Sequence, residues 1–168
     1  ITEYLQENKE VILVTSGAIS QGMKVMDVKT KPKDIKKLQS LAAVGQQKLM
    51  LMYEKIFSEY DFQTAQVLIT HNDINDRVRY LNIKGTLEEL LNNGVIPIIN
   101  ENDVVSTEEI KFGDNDNLAS MIANLVDADL LIILTDQKGM YDKNPDSYKD
   151  AKLINRIDPI GYLGLALV

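Results

Sequence analysis

The sequence predicts an α/β fold in which a mostly parallel sheet is covered by helices on both faces. Short apolar runs at 11–15 (VILVT), 65–70 (AQVLIT), 95–99 (VIPII) and 130–135 (LLIILT) have strand length. They are apolar at consecutive positions, as strands buried on both sides must be. Between the runs the apolar spacing changes to three and four residues, which is the helical period. Polar clusters follow each run, and in an open parallel sheet the loops beyond the carboxyl ends of the strands are where ligands bind.

The first strand, 11–15, exits into TSGAIS, which sets Ser16 and Gly17 between a strand and a helix start. Gly17 and the free N–H groups after it suit an anion at a helix N-terminus, and a plain Ser N-cap explains the same residues. The chain lacks GxxxxGK[ST], so a phosphate-loop NTPase is excluded, and no GxGxxG follows the first strand to support dinucleotide binding. Next, Ile35, Leu38, Leu41, Ala42, Leu49, Met52, Ile56 and Phe57 mark a long helix, with Gly45 as a break or a close contact. Met50 and Met52 beside Leu49 and Leu51 give this helix more apolar surface than one face requires, which fits core packing or a dimer contact.

Strand 65–70 runs into THNDINDR, and a second helix spans about Ile74 to Asn92, closed by NNG. The lone His71 reads as a loop residue rather than a catalyst. Strand 95–99 passes through Pro97 into NENDVVS, where Asn100, Glu101, Asn102 and Asp103 exceed what a loop needs to cap itself. An ionised Asp103 can accept from an ammonium or bind a hard cation. Segment 104–113 (VVSTEEIKFG) reads as a small hairpin or excursion. Then GDNDN opens a third helix, about Asn115 to Val126. A calcium loop is excluded, because the position five residues after Asp114, where that loop needs its glycine, is Ala119. One N-cap explains one acceptor, not four; Asn115 and Asp116 can divide labour, the amide holding a substrate carboxylate and the carboxylate orienting donors or metal. The fourth strand, 130–135, exits into TDQKGMYD. A turn at DKNPDSYKD and a weak strand at 151–157 (AKLINRI) follow.

With 168 residues, 45% of them hydrophobic, the chain has the size of one compact domain, and it shows no repeat or linker. It starts at Ile1 in mid-pattern, which predicts a piece of a longer protein. A net charge of −7 with no basic run argues against a nucleic-acid or anionic-membrane partner and favours small-molecule chemistry. Zero Cys excludes disulfides, thiol catalysis and Cys-based zinc sites. No apolar run approaches the roughly 20 residues of a membrane span, and a cytoplasmic address fits.

The segments VTSGAI, AAVGQ, PIINEND, EIKFGDNDNLAS and DADLLIILTDQKGMYDKNP, in this order over about residues 10 to 157, resemble signature segments of the amino-acid kinase family. The resemblance is to its branch that phosphorylates the side-chain carboxylate of L-glutamate with ATP. It implies a three-layer α/β/α sandwich, incomplete at both ends, with residues 1–168 all in the catalytic domain. It implies ATP and Mg as cofactors, the product L-glutamyl 5-phosphate, the first step of proline biosynthesis, and proline as feedback inhibitor. A homo-oligomer, dimer or tetramer, goes with it. By position, Ser16, Asp103 and Asn115 resemble glutamate-binding residues, and Asp116 resembles the carboxylate that organises two catalytic lysines. Thr135 and Asp136 resemble nucleotide-binding residues, with Gly17, Tyr141 and Asn144 as secondary candidates. No residue is assigned to a metal. The family carries its two lysines in glycine-rich segments, one expected upstream of Ile1 and one after LINRIDPI, where this chain has GYLGLALV. Lys111 and Lys138 are not given that role. Two alternatives stay open: another member of the family, acting on acetylglutamate, aspartate or a nucleotide, and a noncatalytic remnant that binds glutamate or proline.

Overall fold

The computed structural model describes residues 1–106, 115–135 and 138–156. The chain divides into two compact units, Ile1–Leu130 and Leu131–Val168. In the first, the strands β1 (Leu13–Val14), β2 (Gln63–Ile69) and β3 (Val95–Glu101) form a parallel sheet in the order β1-β3-β2. Leu13 lies opposite Ile98, and Gln63 to Ile69 run in register with Val95 to Glu101. β3 is thus hydrogen-bonded along both edges, and from Ile96 to Glu101 it is buried at every position.

Its two faces carry different cores. On one, Ile96 and Ile98 pack with Phe57, Met50 and Tyr53 of α3 (Ile35–Ser58), and with Leu5 of α1 (Thr2–Gln6). On the other, Ile99 and Ile69 pack with Leu87 of α5 (Arg77–Asn92) and with Leu118, Ile122 and Leu125 of α6 (Asn115–Leu125). Helix, sheet and helix make the three layers, as the alternating periodicities required.

The long helix runs where the apolar spacing placed it. It starts because the Asp34 side chain accepts from the Lys37 N–H at 2.9 Å. Gly45 is a close contact, not a break: α2 (Ala18–Val25) crosses α3 where Gly22 meets the Leu41 backbone and Gly45 meets the backbone of Ala18 and Gly22. A Cβ on either glycine would overlap those atoms, so the crossing holds only with hydrogen there.

Four sequence expectations change. The helix expected over about Ile74 to Asn92 is two helices, α4 (His71–Asn75) and α5, because Thr70 and Asp73 close a capping box and Asp76 then caps a fresh start, accepting from Val78 and Arg79 N–H. β3 extends two residues further than VIPII, so Asn100 and Glu101 belong to a buried strand rather than to a loop. The run 130–135 is not a strand: Leu134 is 92% exposed and no described strand pairs with it. Apolar character alone does not make a strand, since its N–H and C=O groups need a ladder partner. The stretch AKLINRI contributes one antiparallel bridge, Leu153 to Tyr141, rather than a strand. Most of the hairpin expected at 104–113 lies outside the described residues.

The same Gly→Ala change is expected to act in opposite directions at two helical sites. Gly45→Ala forces α2 and α3 apart and lowers stability by about 2–3 kcal/mol. Gly85→Ala, in α5 with nothing within 4 Å of the added carbon, raises it by about 0.5–1 kcal/mol. Urea midpoints of the two variants check this, and equal shifts would contradict the close crossing.

Candidate functional site

The carboxyl ends of β1, β2 and β3 lie on one rim of the sheet, and α6 begins beside them. From β1 the chain passes through Thr15, buried, whose N–H donates to Ile99 O and whose hydroxyl meets the Tyr53 hydroxyl at 2.7 Å. Ser16 and Gly17 follow, both exposed. Gly17, not Ser16, occupies the N-cap position of α2. It has φ of 107°, in the left-handed region that favours glycine, and no side chain caps the helix start. The Ser N-cap reading therefore fails, and the first N–H groups of α2 face the rim without a side-chain acceptor.

From β3 comes the polar centre of the rim. Asn100 is 2% exposed, and its Nδ2 donates to Gln46 Oε1 of α3 at 2.8 Å. Its Oδ1 accepts from the Glu101 N–H at 2.9 Å and from Asn115 Nδ2 at 3.1 Å. Asn115 Nδ2 also donates to the Thr15 carbonyl at 2.7 Å. These bonds tie the ends of β1 and β3 to the first residue of α6. The sequence reading made Asn115 a donor to a substrate carboxylate; here both its N–H groups are engaged within the protein.

Strand alternation sends Glu101 to the opposite face from Asn100. It is 3% exposed, and neither carboxyl oxygen has a hydrogen-bond partner. Burial pushes its pKa up to about 7; Ser106 opposes the rise without reaching hydrogen-bond geometry, while Asp103 and Asp73 add to it. Asp73 is ionised: burial would raise it, but hydrogen bonds from Thr70 and Arg79 hold it below the usual range. A neutral Glu101 is the cheaper state next to that charge.

Asp103 is half-buried, and burial raises its carboxyl while Lys31 opposes the rise. With Gln46, Met50, Gln66, Leu68 and Asn102 it borders a cavity of about 520 Å³ between α3 and the end of β2. Asp116 is exposed in the first turn of α6. Asn117, one residue on, meets His71 Nε2 at 3.4 Å. Asp114, the first acceptor of GDNDN, lies outside the described residues.

The remaining described candidates, Thr135, Tyr141 and Asn144, belong to the second unit. Thr135 and Asn144 are exposed, and Tyr141 forms the bridge to Leu153. Asn144 makes the expected turn before Pro145, its Oδ1 accepting from the Asp146 N–H at 2.9 Å. Asp136 lies outside the described residues. The structure thus brings Ser16, Gly17, Asp103, Asn115 and Asp116 to one rim.

Sequence reasoning gave no role to Gln46, although it held the signal: on the buried stripe Leu38, Leu41, Ala42, Gly45 and Leu49, a glutamine needs a partner.

Glu101 sets a pH dependence. Folded, it keeps its proton to about pH 7; unfolded, it loses it near 4.5, so between those values the native state binds more protons and stability falls as pH rises. Above about pH 7 this contribution levels off. Glu101→Gln is expected to gain about 1–3 kcal/mol over the parent at pH 8 and nothing at pH 4. Urea midpoints across pH give the difference, and a gain independent of pH would refute a buried, titrating carboxyl.

Comparison with known proteins matches this sequence to a family. The sequence profile of the amino acid kinase family covers residues 1–163. The chain is similar to the glutamate 5-kinase of Thermoanaerobacter sp. (strain X514), with 56% identity over 158 residues, 94% of this chain and 42% of that protein. It is 53% identical to the glutamate 5-kinase of Marinomonas sp. (strain MWYL1) over 157 residues, and 50% identical to that of Nitrosomonas eutropha over 157 residues. In each case the chain spans 42% of the relative's length. With a profile match over nearly all its residues, and with the three-layer fold and polar rim built from the matching segments, the chain belongs to the amino acid kinase family.

Proposed function

We propose that the protein carrying this chain transfers the γ-phosphoryl group of ATP to the side-chain carboxylate of L-glutamate, making L-glutamyl 5-phosphate for proline biosynthesis. The observation that carries this is the 56% identity, across 94% of the chain, to relatives named glutamate 5-kinase. The residues at the rim support it. Glutamate brings an ammonium, for which Asp103 is the acceptor, and an α-carboxylate, for which Ser16, Gly17 and the uncapped start of α2 are the donors. Its reacting carboxylate is already ionised at neutral pH, so no general base is needed and His71 need not act.

Phosphoryl transfer then depends on alignment and on cancelling charge as it spreads over the transferred group. In this reading Asp116, exposed at the start of α6, orients the cationic groups that do so. Thr135 and Asp136 hold the nucleotide, with Tyr141 and Asn144 as secondary candidates. Among the described residues no group of three His, Cys, Asp or Glu is arranged to hold a metal ion. Mg bound with the ATP phosphates would supply charge neutralisation there. Proline, which shares the ammonium and carboxylate of glutamate, fits the same rim as an inhibitor. Leu51, Met52 and Ile56, exposed on α3, support a homo-oligomer. No described helix is long and apolar enough to cross a membrane, and the acidic composition supports a cytoplasmic enzyme without a nucleic-acid partner.

In the intact protein with ATP, Mg and L-glutamate, Asp103→Ala is expected to raise KM for glutamate roughly tenfold to a hundredfold with a smaller change in kcat. Asp116→Ala is expected to lower kcat by about a hundredfold with little change in KM. Equal modest losses of melting temperature with unchanged kinetics would show both to be structural caps. Saturable glutamate binding by calorimetry without ADP release would select a noncatalytic binder, and activity on acetylglutamate or aspartate alone would select another family member.

A further inference from the structure

The hydrogen bonds around Asn100 form a chain of carboxamides with a direction. Gln66 on β2, Gln46 on α3, Asn100 on β3 and Asn115 on α6 are linked in that order. A carboxamide can turn over and exchange its donor for its acceptor, so such a chain could in principle run either way. Here both ends of its core rest on backbone groups that have no choice. The Glu101 N–H can only donate, so the Asn100 atom 2.9 Å from it is the oxygen. The other end of Asn100 is therefore NH2, which donates to Gln46 Oε1 at 2.8 Å; Gln46 Nε2 in turn donates to Gln66 Oε1 at 3.1 Å. The Thr15 carbonyl can only accept, so the Asn115 atom 2.7 Å from it is the nitrogen. Its second hydrogen goes to Asn100 Oδ1 at 3.1 Å.

Turning Asn115 over would set its oxygen against two acceptors, Thr15 O and Asn100 Oδ1. Turning Asn100 over would set its NH2 against the Glu101 N–H. With Asn100 2% and Gln46 9% exposed, water has little room to relieve either mismatch.

We propose that Gln46 is a positioning residue for the substrate site: by accepting from Asn100 Nδ2 it secures the orientation that the Glu101 N–H sets, and through Asn100 it helps the Thr15 carbonyl hold the Asn115 carboxamide with Nδ2 turned inward, leaving Oδ1 to accept from the substrate's ammonium. The inference rests on the glutamate-kinase reading for the identity of that ammonium. It changes the division of labour at the rim. Asn115 joins Asp103 as an acceptor, and the substrate carboxylate is left to Ser16, Gly17 and the start of α2. Such a site selects an amino acid over the same diacid without its amine, because an acceptor facing no donor is left unpaired. It also gives a function to a glutamine whose side-chain hydrogen bonds go to two other carboxamides.

The test uses the intact protein and two replacements. Gln46→Met keeps the volume but offers no oxygen to Asn100. Gln46→Glu keeps that acceptor. The Met variant is expected to raise KM for L-glutamate by about tenfold, with KM for ATP within about twofold, and to narrow the preference for L-glutamate over glutarate by about the same factor. The Glu variant is expected to stay within about threefold of the parent on all three measures. A Met variant with lower melting temperature but unchanged KM for glutamate and unchanged glutarate discrimination overturns the proposal. The side-chain amide of Asn115, followed by NMR of 15N-labelled protein, gives a readout independent of turnover. Its NH2 protons exchange slowly in the parent and faster in Gln46→Met if the chain holds them; fast exchange in the parent refutes the locked orientation. Absence of glutamate-dependent ADP release in the parent would count against the proposed reaction, and the amide exchange would then decide on the carboxamide chain by itself.

Discussion

The structure of the first unit depends on one strand. β3 is paired on both edges and buried on both faces, so each helical layer finds its apolar partner there: α3 against Ile96 and Ile98, α5 and α6 against Ile99. That position forces a constraint on its last two residues. Asn100 and Glu101 are polar and remain inside the sheet, where an unpaired polar group costs on the order of 1–3 kcal/mol. The chain meets the constraint differently on the two faces. The Asn100 oxygen accepts twice and its nitrogen donates to Gln46, while Glu101 has no partner among the described residues and keeps its proton to about pH 7 instead.

The carboxamide chain shows why neutral groups suit that position. Amides carry both a donor and an acceptor, so a row of them can pass one polarity from strand to helix without burying a net charge. The row links the three parts that form the rim: the end of β1 through the Thr15 carbonyl, the end of β3 through Asn100, and the first residue of α6. A site for a zwitterionic amino acid needs acceptors and donors held apart by fixed distances, and preorganised dipoles provide that at little reorganisation cost. In the proposed reading the acceptors are Asp103 and Asn115, and the donors lie at the start of α2.

The start of α2 is placed by packing rather than by a cap. Gly22 and Gly45 let its backbone lie directly on α3, and this close crossing sets where the chain after β1 turns toward the rim. A side-chain cap at Ser16 would have satisfied the helix N–H groups and closed them to a ligand. Gly17 in the left-handed conformation makes the turn and leaves them open. Helix crossing and open N-terminus are thus two results of the same small residues.

Much of this was legible in the amino-acid sequence by itself. Apolar runs determined β2, β3 and the three-layer class, the three-and-four spacing determined α3 and α6, and the segments from VTSGAI to GDNDN determined the family and put Ser16, Asp103, Asn115 and Asp116 beyond the strand ends as candidates. Those features are local, since a side chain's burial repeats with the period of its own element. Tertiary structure alone decided the rest. LLIILT has the composition of a strand without a described partner, the Ile74–Asn92 helix is interrupted by Asp76, and Gly45 turns out to be a contact. Above all, which end of Asn115 faces a ligand depends on Thr15, 100 residues earlier, and on Asn100, which is oriented by the Glu101 N–H and held by Gln46, 54 residues before it. The direction of a hydrogen bond belongs to pairs of groups, and a sequence names the groups without saying which of them meet.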